Sequence, residues 1–192
     1  MIKELYPFVQ AYAFIIGLAI GSFLNVIIYR IPNNKSIVKP RSKCTGCEIQ
    51  ISWYDNIPVL SYVLLLGKCR NCKASISVRY PLIEFICGLM TVMLLGIYGI
   101  SYEFFVIVLF CYMLIAITFI DIDHFIIPNE FIIFGLIISF FAHAFNFLPI
   151  SIVQGFYGII AFGGTLFVMG ALGTWAFKKE ALGFGDVKLG LV

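Results

Sequence analysis

Apolar residues in this chain come in long blocks separated by short polar stretches. Runs with few polar breaks fall at about Val9–Ile28, Leu82–Ile100, Tyr102–Ile120, Phe131–Leu148 and Ile152–Phe177. About 20 helical residues, rising about 1.5 Å each, cross a hydrocarbon core of roughly 30 Å. The pattern predicts an all-α polytopic membrane protein. A sixth apolar segment opens at Val187 and stops at Val192, so about six helices are expected, the last of them truncated. The segment between the first two blocks is mixed in polarity. The expected organisation is therefore a first helix over 1–28, a loop domain over 29–81 and a membrane core over 82–192.

Composition sharpens this picture. Hydrophobic residues make up 61% of the 192 and charged residues 12%, against roughly 45–50% and 25% in a soluble domain. The first block is not read as a cleaved leader: Lys3 is balanced by Glu4, and the basic cluster follows the block.

The distribution of charge predicts an orientation. Nine of the thirteen Lys/Arg lie between Arg30 and Arg79, offset there only by Glu48 and Asp55. Short loops rich in Lys and Arg stay cytoplasmic, which puts the N-terminus outside and the 29–81 loop inside. Counting spans onward returns the chain to the cytoplasmic face at Asp121 and again at Lys178-Lys179. The same basic residues also attract anionic lipid, and the bilayer is itself an expected partner. Nothing points to nucleic acid, and the oligomeric state is not legible.

Inside the loop, Cys44-Thr45-Gly46-Cys47 and Cys69-Arg70-Asn71-Cys72 are separated by 21 residues. Two such pairs read as a four-thiolate zinc site, each pair forming a knuckle that supplies two corners of a tetrahedron. Gly46 and Asn71 suit tight turns. Paired disulfides or redox motifs are the alternatives, and a reducing cytoplasm disfavours the former. A loop of this size folds alone only if something staples it. Cys87 and Cys111, inside spans, read as packing residues.

Two acidic motifs border the apolar blocks: Asp121-Ile122-Asp123-His124, and Gly183-Phe184-Gly185-Asp186 before Val187. A carboxylate at the centre of a membrane helix costs roughly 2.5–3.5 kcal/mol on insertion scales, so acids beside hydrocarbon suggest function. Two carboxyls sharing one proton can run acid–base chemistry on a peptide bond. Each motif also has a plain reading, Asp186 as a helix cap and Asp121 with Asp123 as turn residues ahead of Pro128. Gly17, Gly21 and Asn25 recur at four-residue steps and predict a close helix contact. Glu84 is expected in the first turn of its helix, after Pro81.

Seven motifs in order carry a family resemblance. They are Gly21-Ser22-Phe23-Leu24-Asn25-Val26 with Tyr29-Arg30, the cysteine pairs, Tyr54-Asp55-Asn56-Ile57-Pro58, Gly67-Lys68-Cys69-Arg70, Arg79-Tyr80-Pro81 with Glu84, Asp121 to His124 with Ile127-Pro128-Asn129, and Gly183 to Leu189. Together they resemble the bacterial type IV prepilin peptidases. The resemblance implies a membrane aspartic peptidase that removes the leader of prepilins and pseudopilins at the cytoplasmic membrane face. It also implies S-adenosylmethionine-dependent N-methylation of the new N-terminus. Asp123 and Asp186 carry the catalytic roles by this likeness, with Asp121, Gly183, Gly185, Lys188 and Glu84 as auxiliaries. No Gly-x-Gly-x-x-Gly cradle marks a cofactor site. The competing readings are a proton- or cation-coupled carrier using the same acids, and a zinc-bearing scaffold of a pilus or secretion assembly.

Overall fold

The computed structural model describes residues 2–147, 151–178 and 183–190. Among these the regular structure is helical: α1 (Ile2–Arg30), a 3-10 turn (Trp53–Asn56), α2 (Leu60–Leu64), α3 (Arg79–Tyr98), α4 (Tyr102–His124), α5 (Asn129–Ala144), α6 (Ile152–Phe177) and α7 (Phe184–Leu189). The chain divides into two compact units, Met1–Phe104 and Phe105–Val192.

Among the described residues, four helices are long and apolar enough to cross a bilayer, over Tyr6–Arg30, Arg79–Tyr98, Tyr102–His124 and Val153–Ala176. This is a multi-pass membrane protein. The helix at the expected fourth span, Phe131–Leu148, is shorter than its apolar run. α5 has 16 residues and closes at Phe145 and Asn146, the latter in the left-handed region at φ 52°. Sixteen residues rise about 24 Å, less than the bilayer core. Leu148, the expected end of that span, and Lys179 lie outside the described residues, as do Leu191 and Val192 at the end of the sixth segment.

In the first unit, α1 packs antiparallel on α3 along the seam expected from Gly17, Gly21 and Asn25. A Cβ on Gly17 would lie 2.7 Å from the Gly88 Cα, and one on Gly21 would lie 2.6 Å from the Glu84 Cα. Neither distance admits a side chain, so bare backbone is what lets the helices meet. Asn25 donates its Nδ2 to the Tyr80 carbonyl at 3.1 Å, and Phe14 meets the Phe85 ring edge to face. The polar residues buried here are partnered, as burial demands. Thr91 donates to the Cys87 carbonyl, and Ser61 to that of Tyr54.

Glu84 departs from expectation. α3 starts at Arg79, so Glu84 is in the second turn and buried. Its Oε2 accepts the Val59 N–H at 2.7 Å. Val59 is in a left-handed conformation (φ 58°, ψ −48°), and the Leu60 N–H closes a γ-turn on the Pro58 carbonyl at 2.5 Å. Such backbone costs a β-branched residue of order 1–3 kcal/mol, and the carboxylate contact helps hold it.

In the second unit, a stripe of α4 is buried, including Val108, Tyr112, Ala116 and Ile120 at four-residue spacing. α6 opens on a capping box. Ser151 Oγ accepts the Gln154 N–H, and Gln154 Oε1 accepts that of Ser151. The α6 span is only 6% buried, an apolar exterior suited to lipid or to neighbouring helices. α7 packs on the middle of α6, where a Cβ on Gly190 would lie 3.4 Å from the Gly163 Cα.

Candidate functional site

Asp121 and Asp123 are helical, in the last turn of α4, and not in a turn before Pro128. α4 stops when the Phe125 N–H bonds the Asp121 carbonyl at 2.8 Å, with Phe125 at φ 55°. The negative end of a helix dipole disfavours anions by about 0.3–1 kcal/mol each at exposed sites. Two acids held there work against local stability. Both are exposed, as is the basic His124 beside them.

Asp186 is the third residue of α7, after the N-cap Gly183. Its N–H bonds the Gly183 carbonyl at 3.1 Å, and its Oδ2 lies 3.2 Å from where a Gly183 Cβ would be. The two glycines do different work. The space over Gly183 adjoins the Asp186 carboxylate. That over Gly185 is taken by Ile127, whose Cβ would be 3.1 Å from an added Cβ. Lys188, one turn on from Gly185, donates its Nζ to Asn129 Oδ1 at 3.0 Å.

These two contacts seat α7, which bears Asp186, against the Ile127–Asn129 segment that follows Asp123. Asp186 follows the glycine that meets Ile127, and Asp123 precedes Ile127 by four positions. Glu84 belongs to the first unit, in the α1–α3 seam.

The four loop cysteines converge: the Sγ atoms of Cys44, Cys47, Cys69 and Cys72 all lie within 4.8 Å of one another. A tetrahedron of bonds about 2.3 Å long places its sulfurs about 3.8 Å apart, and Cys44 and Cys72 are 3.7 Å apart. The residues present fit a metal. Electrostatics already favours one thiolate. Cys44 is lowered to about 6, first by the Gly46 N–H donated to its sulfur, then by the Cys47 N–H and the neighbouring thiols. Cys47 is raised to about 11. The Ile49 N–H pulls it down, but desolvation and the other three cysteines outweigh that bond.

The knuckles are copies of each other. Lys43 bridges Gln50 as Lys68 bridges Ser75, and the Cys44 and Cys69 N–H groups bond the Ile49 and Ala74 carbonyls. The left-handed residues that close them are Glu48 (φ 58°) and Lys73 (φ 60°), not Gly46 and Asn71 as expected. Gly46 is bare for a different reason, since a Cβ there would lie 3.0 Å from that of Ala74. The signal was present in sequence: Lys43 to Ser52 and Lys68 to Ser77 match at the Lys, both Cys, the Ile and the Ser. Reading the Cys pairs alone missed it. It also missed the ion pair that braces the second knuckle. Arg70 donates Nε and Nη2 to the Asp55 carboxylate at 2.7–3.1 Å, from above the Tyr54 ring.

A helical membrane core with an aspartate at each of two converging segments, joined to a four-cysteine loop, defines the class. Residues 15–98 match the bacterial peptidase A24 N-terminal domain, and residues 108–192 match the type IV leader peptidase family. The chain belongs to the type IV leader peptidase family, as its motifs led one to expect. It is 37% identical to a prepilin leader peptidase/N-methyltransferase of Myxococcus xanthus, over 94% of this chain and 53% of that protein. Similar relatives of the same name occur in Stutzerimonas stutzeri (34% identical, 92% of this chain and 69% of the relative) and Neisseria gonorrhoeae (32%, 98% and 74%). The chain thus spans from about half to three-quarters of these relatives' length. No solved structure matches it.

Proposed function

We propose that this chain carries a prepilin leader peptidase activity, cleaving prepilins and pseudopilins at the cytoplasmic face of a bacterial plasma membrane, with Asp123 and Asp186 as the acid–base pair. The observation that supports this most is the docking of Gly185 on Ile127 beside the Lys188–Asn129 hydrogen bond. It joins the helix that bears Asp186 to the segment that follows Asp123, at helix ends where a substrate segment leaving the membrane would be reached. The chemistry follows from two carboxyls holding one proton. The ionised carboxyl takes a proton from water as its oxygen bonds the scissile carbonyl carbon, and the protonated carboxyl hands its proton to the carbonyl oxygen. Collapse of the tetrahedral species breaks the C–N bond, and the departing amine takes up a proton from the pair.

The cysteine cluster holds a structural zinc ion in this reading, and the basic loop sets the orientation with the N-terminus outside. The names of the relatives support a second activity, N-methylation of the amine that cleavage creates. S-adenosylmethionine, when bound, would supply that methyl group. Asp121 neighbours the pair, and the Lys188 ammonium steadies α7.

Two variants test the peptidase reading. Asp123→Asn and Asp186→Asn should each abolish leader removal from a prepilin in membranes, with insertion and abundance unchanged. Full processing by either variant would reject the assignment of that residue, and full processing by both would reject the mechanism.

A further inference from the structure

Where α1 leaves the hydrophobic stretch, the first unit has an open pocket of about 250 Å³. Phe23 and Val26 of α1, with Ile37, contribute apolar lining, while Arg41, Trp53 and Asn56 are among its polar lining. Arg30 also lines it, but its guanidinium is committed: Nη1 donates to the Ser36 carbonyl at 2.8 Å and Nη2 to that of Pro40 at 2.6 Å. Those bonds shape the 36–40 turn and leave Arg41 beside the opening. Among the described residues Arg41 has no ion-pair or hydrogen-bond partner, and no carboxylate lines the pocket.

Three features together select an occupant. The charge is cationic, so an anion fits and a sulfonium or ammonium does not. The volume is below the roughly 300–1,000 Å³ that encloses a drug-sized molecule, which suits a headgroup whose remainder lies outside. Part of the apolar lining comes from a membrane-spanning helix, and two further lining residues are widely exposed: Val38 (75%), which lies between Lys35 and Lys39 in sequence, and Trp53 (71%). Apolar and aromatic residues interleaved with Lys and Arg are what a membrane interface recruits.

We propose that this pocket is a specific site for an anionic phospholipid of the adjoining leaflet, with its phosphate paired to Arg41 and its acyl chain running along Phe23 and Val26. This goes beyond diffuse attraction of a basic loop, because one cation at one cavity carries the selectivity. It is also independent of the peptidase and methyl-transfer readings.

The chain has two tryptophans, Trp53 and Trp175, so Trp175→Phe leaves Trp53 as the single reporter at the pocket. The protein is reconstituted in phosphatidylcholine vesicles containing increasing fractions of brominated phosphatidylglycerol or, separately, brominated phosphatidylcholine. Saturable quenching of Trp53 is expected at low fractions of the anionic lipid, and weaker, unsaturated quenching by the neutral one. Arg41→Gln should raise the fraction needed for half-quenching more than tenfold. Lys39→Gln, an exposed charge outside the pocket lining, should raise it no more than about fivefold, the worth of one Lys/Arg near an anionic surface. Both variants should keep the helical circular dichroism of the parent. Equal effects of the two substitutions, or equal quenching by both lipids, would overturn the proposal. Displacement of the brominated lipid by soluble glycerophosphate would show that the pocket takes a free phosphate, and would equally overturn the lipid assignment.

Discussion

Lys188 reaches across 59 positions of sequence to hydrogen-bond Asn129, Nζ to Oδ1 at 3.0 Å. This bond joins the helix bearing Asp186 to the segment that follows Asp123, and it has a measurable consequence. A hydrogen bond with one charged partner is worth about 1.5–3 kcal/mol when protected and less in the open. Lys188→Met should therefore lower leader removal by roughly tenfold, with protein level unchanged. Asn129→Ala should give a similar loss and the double variant little more, because the second change removes a bond already lost. Fully additive losses in a prepilin cleavage assay would show that the two side chains act separately.

Gly185 gives a steric test of the same docking. Its missing side chain leaves room for Ile127, and an added Cβ would come within 3.1 Å of the Ile127 Cβ. Overpacking of this kind costs about 1–3 kcal/mol, so Gly185→Ala should lose most of the activity by lifting α7. Ile127→Ala in the same chain should restore a measurable part. If the double variant is as inactive as Gly185→Ala alone, the glycine serves something other than this contact.

The large-scale plan was legible because it rests on local rules. Block lengths of apolar residues give the helices, small residues at four-residue steps give the α1–α3 seam, and two Cys-x-x-Cys pairs give the sulfur cluster. What the sequence hid depends on tertiary approach. Val59 adopts a left-handed turn that its own side chain disfavours, and a carboxylate 25 positions later receives its N–H. No periodicity encodes that partnership. Glu48 and Lys73 occupy left-handed positions where Gly or Asn is the usual cue, so the knuckles escaped the rule for turn residues while their repeat lay in plain view. The plain alternative for Asp121 and Asp123, turn residues ahead of Pro128, fails because α4 runs through them to His124.

Thiol reactivity should follow the asymmetry within the cluster. With Cys44 lowered to about 6 and Cys47 raised to about 11, metal-free protein at pH 7.5 holds Cys44 largely as thiolate and Cys47 as thiol. Iodoacetamide should therefore label Cys44 ahead of Cys47 in peptide mapping, and the Cys44 rate should fall about tenfold per pH unit below 6. Zinc should protect all four, and its binding should release protons, since Cys47 must ionise to become a ligand. Uptake should accordingly tighten as pH rises. Equal labelling of the two thiols, or labelling unaffected by zinc, would contradict this picture of the site.

The Asp55–Arg70 pair supplies a test of what braces the second knuckle. The Arg70 guanidinium, bonded through Nε and Nη2, holds the Asp55 carboxyl below its ordinary value. A carboxyl with a depressed folded value adds stability that is complete above its ordinary range near 3.8 and is lost as pH falls through the lower folded value. Across pH 5.5–7.5 the carboxylate is fully charged, so the effect of Asp55→Asn should be constant there. Arg70 is half exposed, so screening limits the effect to a loss of at most about fivefold in zinc affinity. Arg70→Lys should behave nearly like Asp55→Asn, because an ammonium keeps the charge but not the two-nitrogen fork or the stacking on Tyr54. Competition with a chromogenic chelator reads all of this. A loss that varies steeply with pH inside the window would assign the brace to another titrating group, and full affinity in Arg70→Lys would show that charge alone suffices.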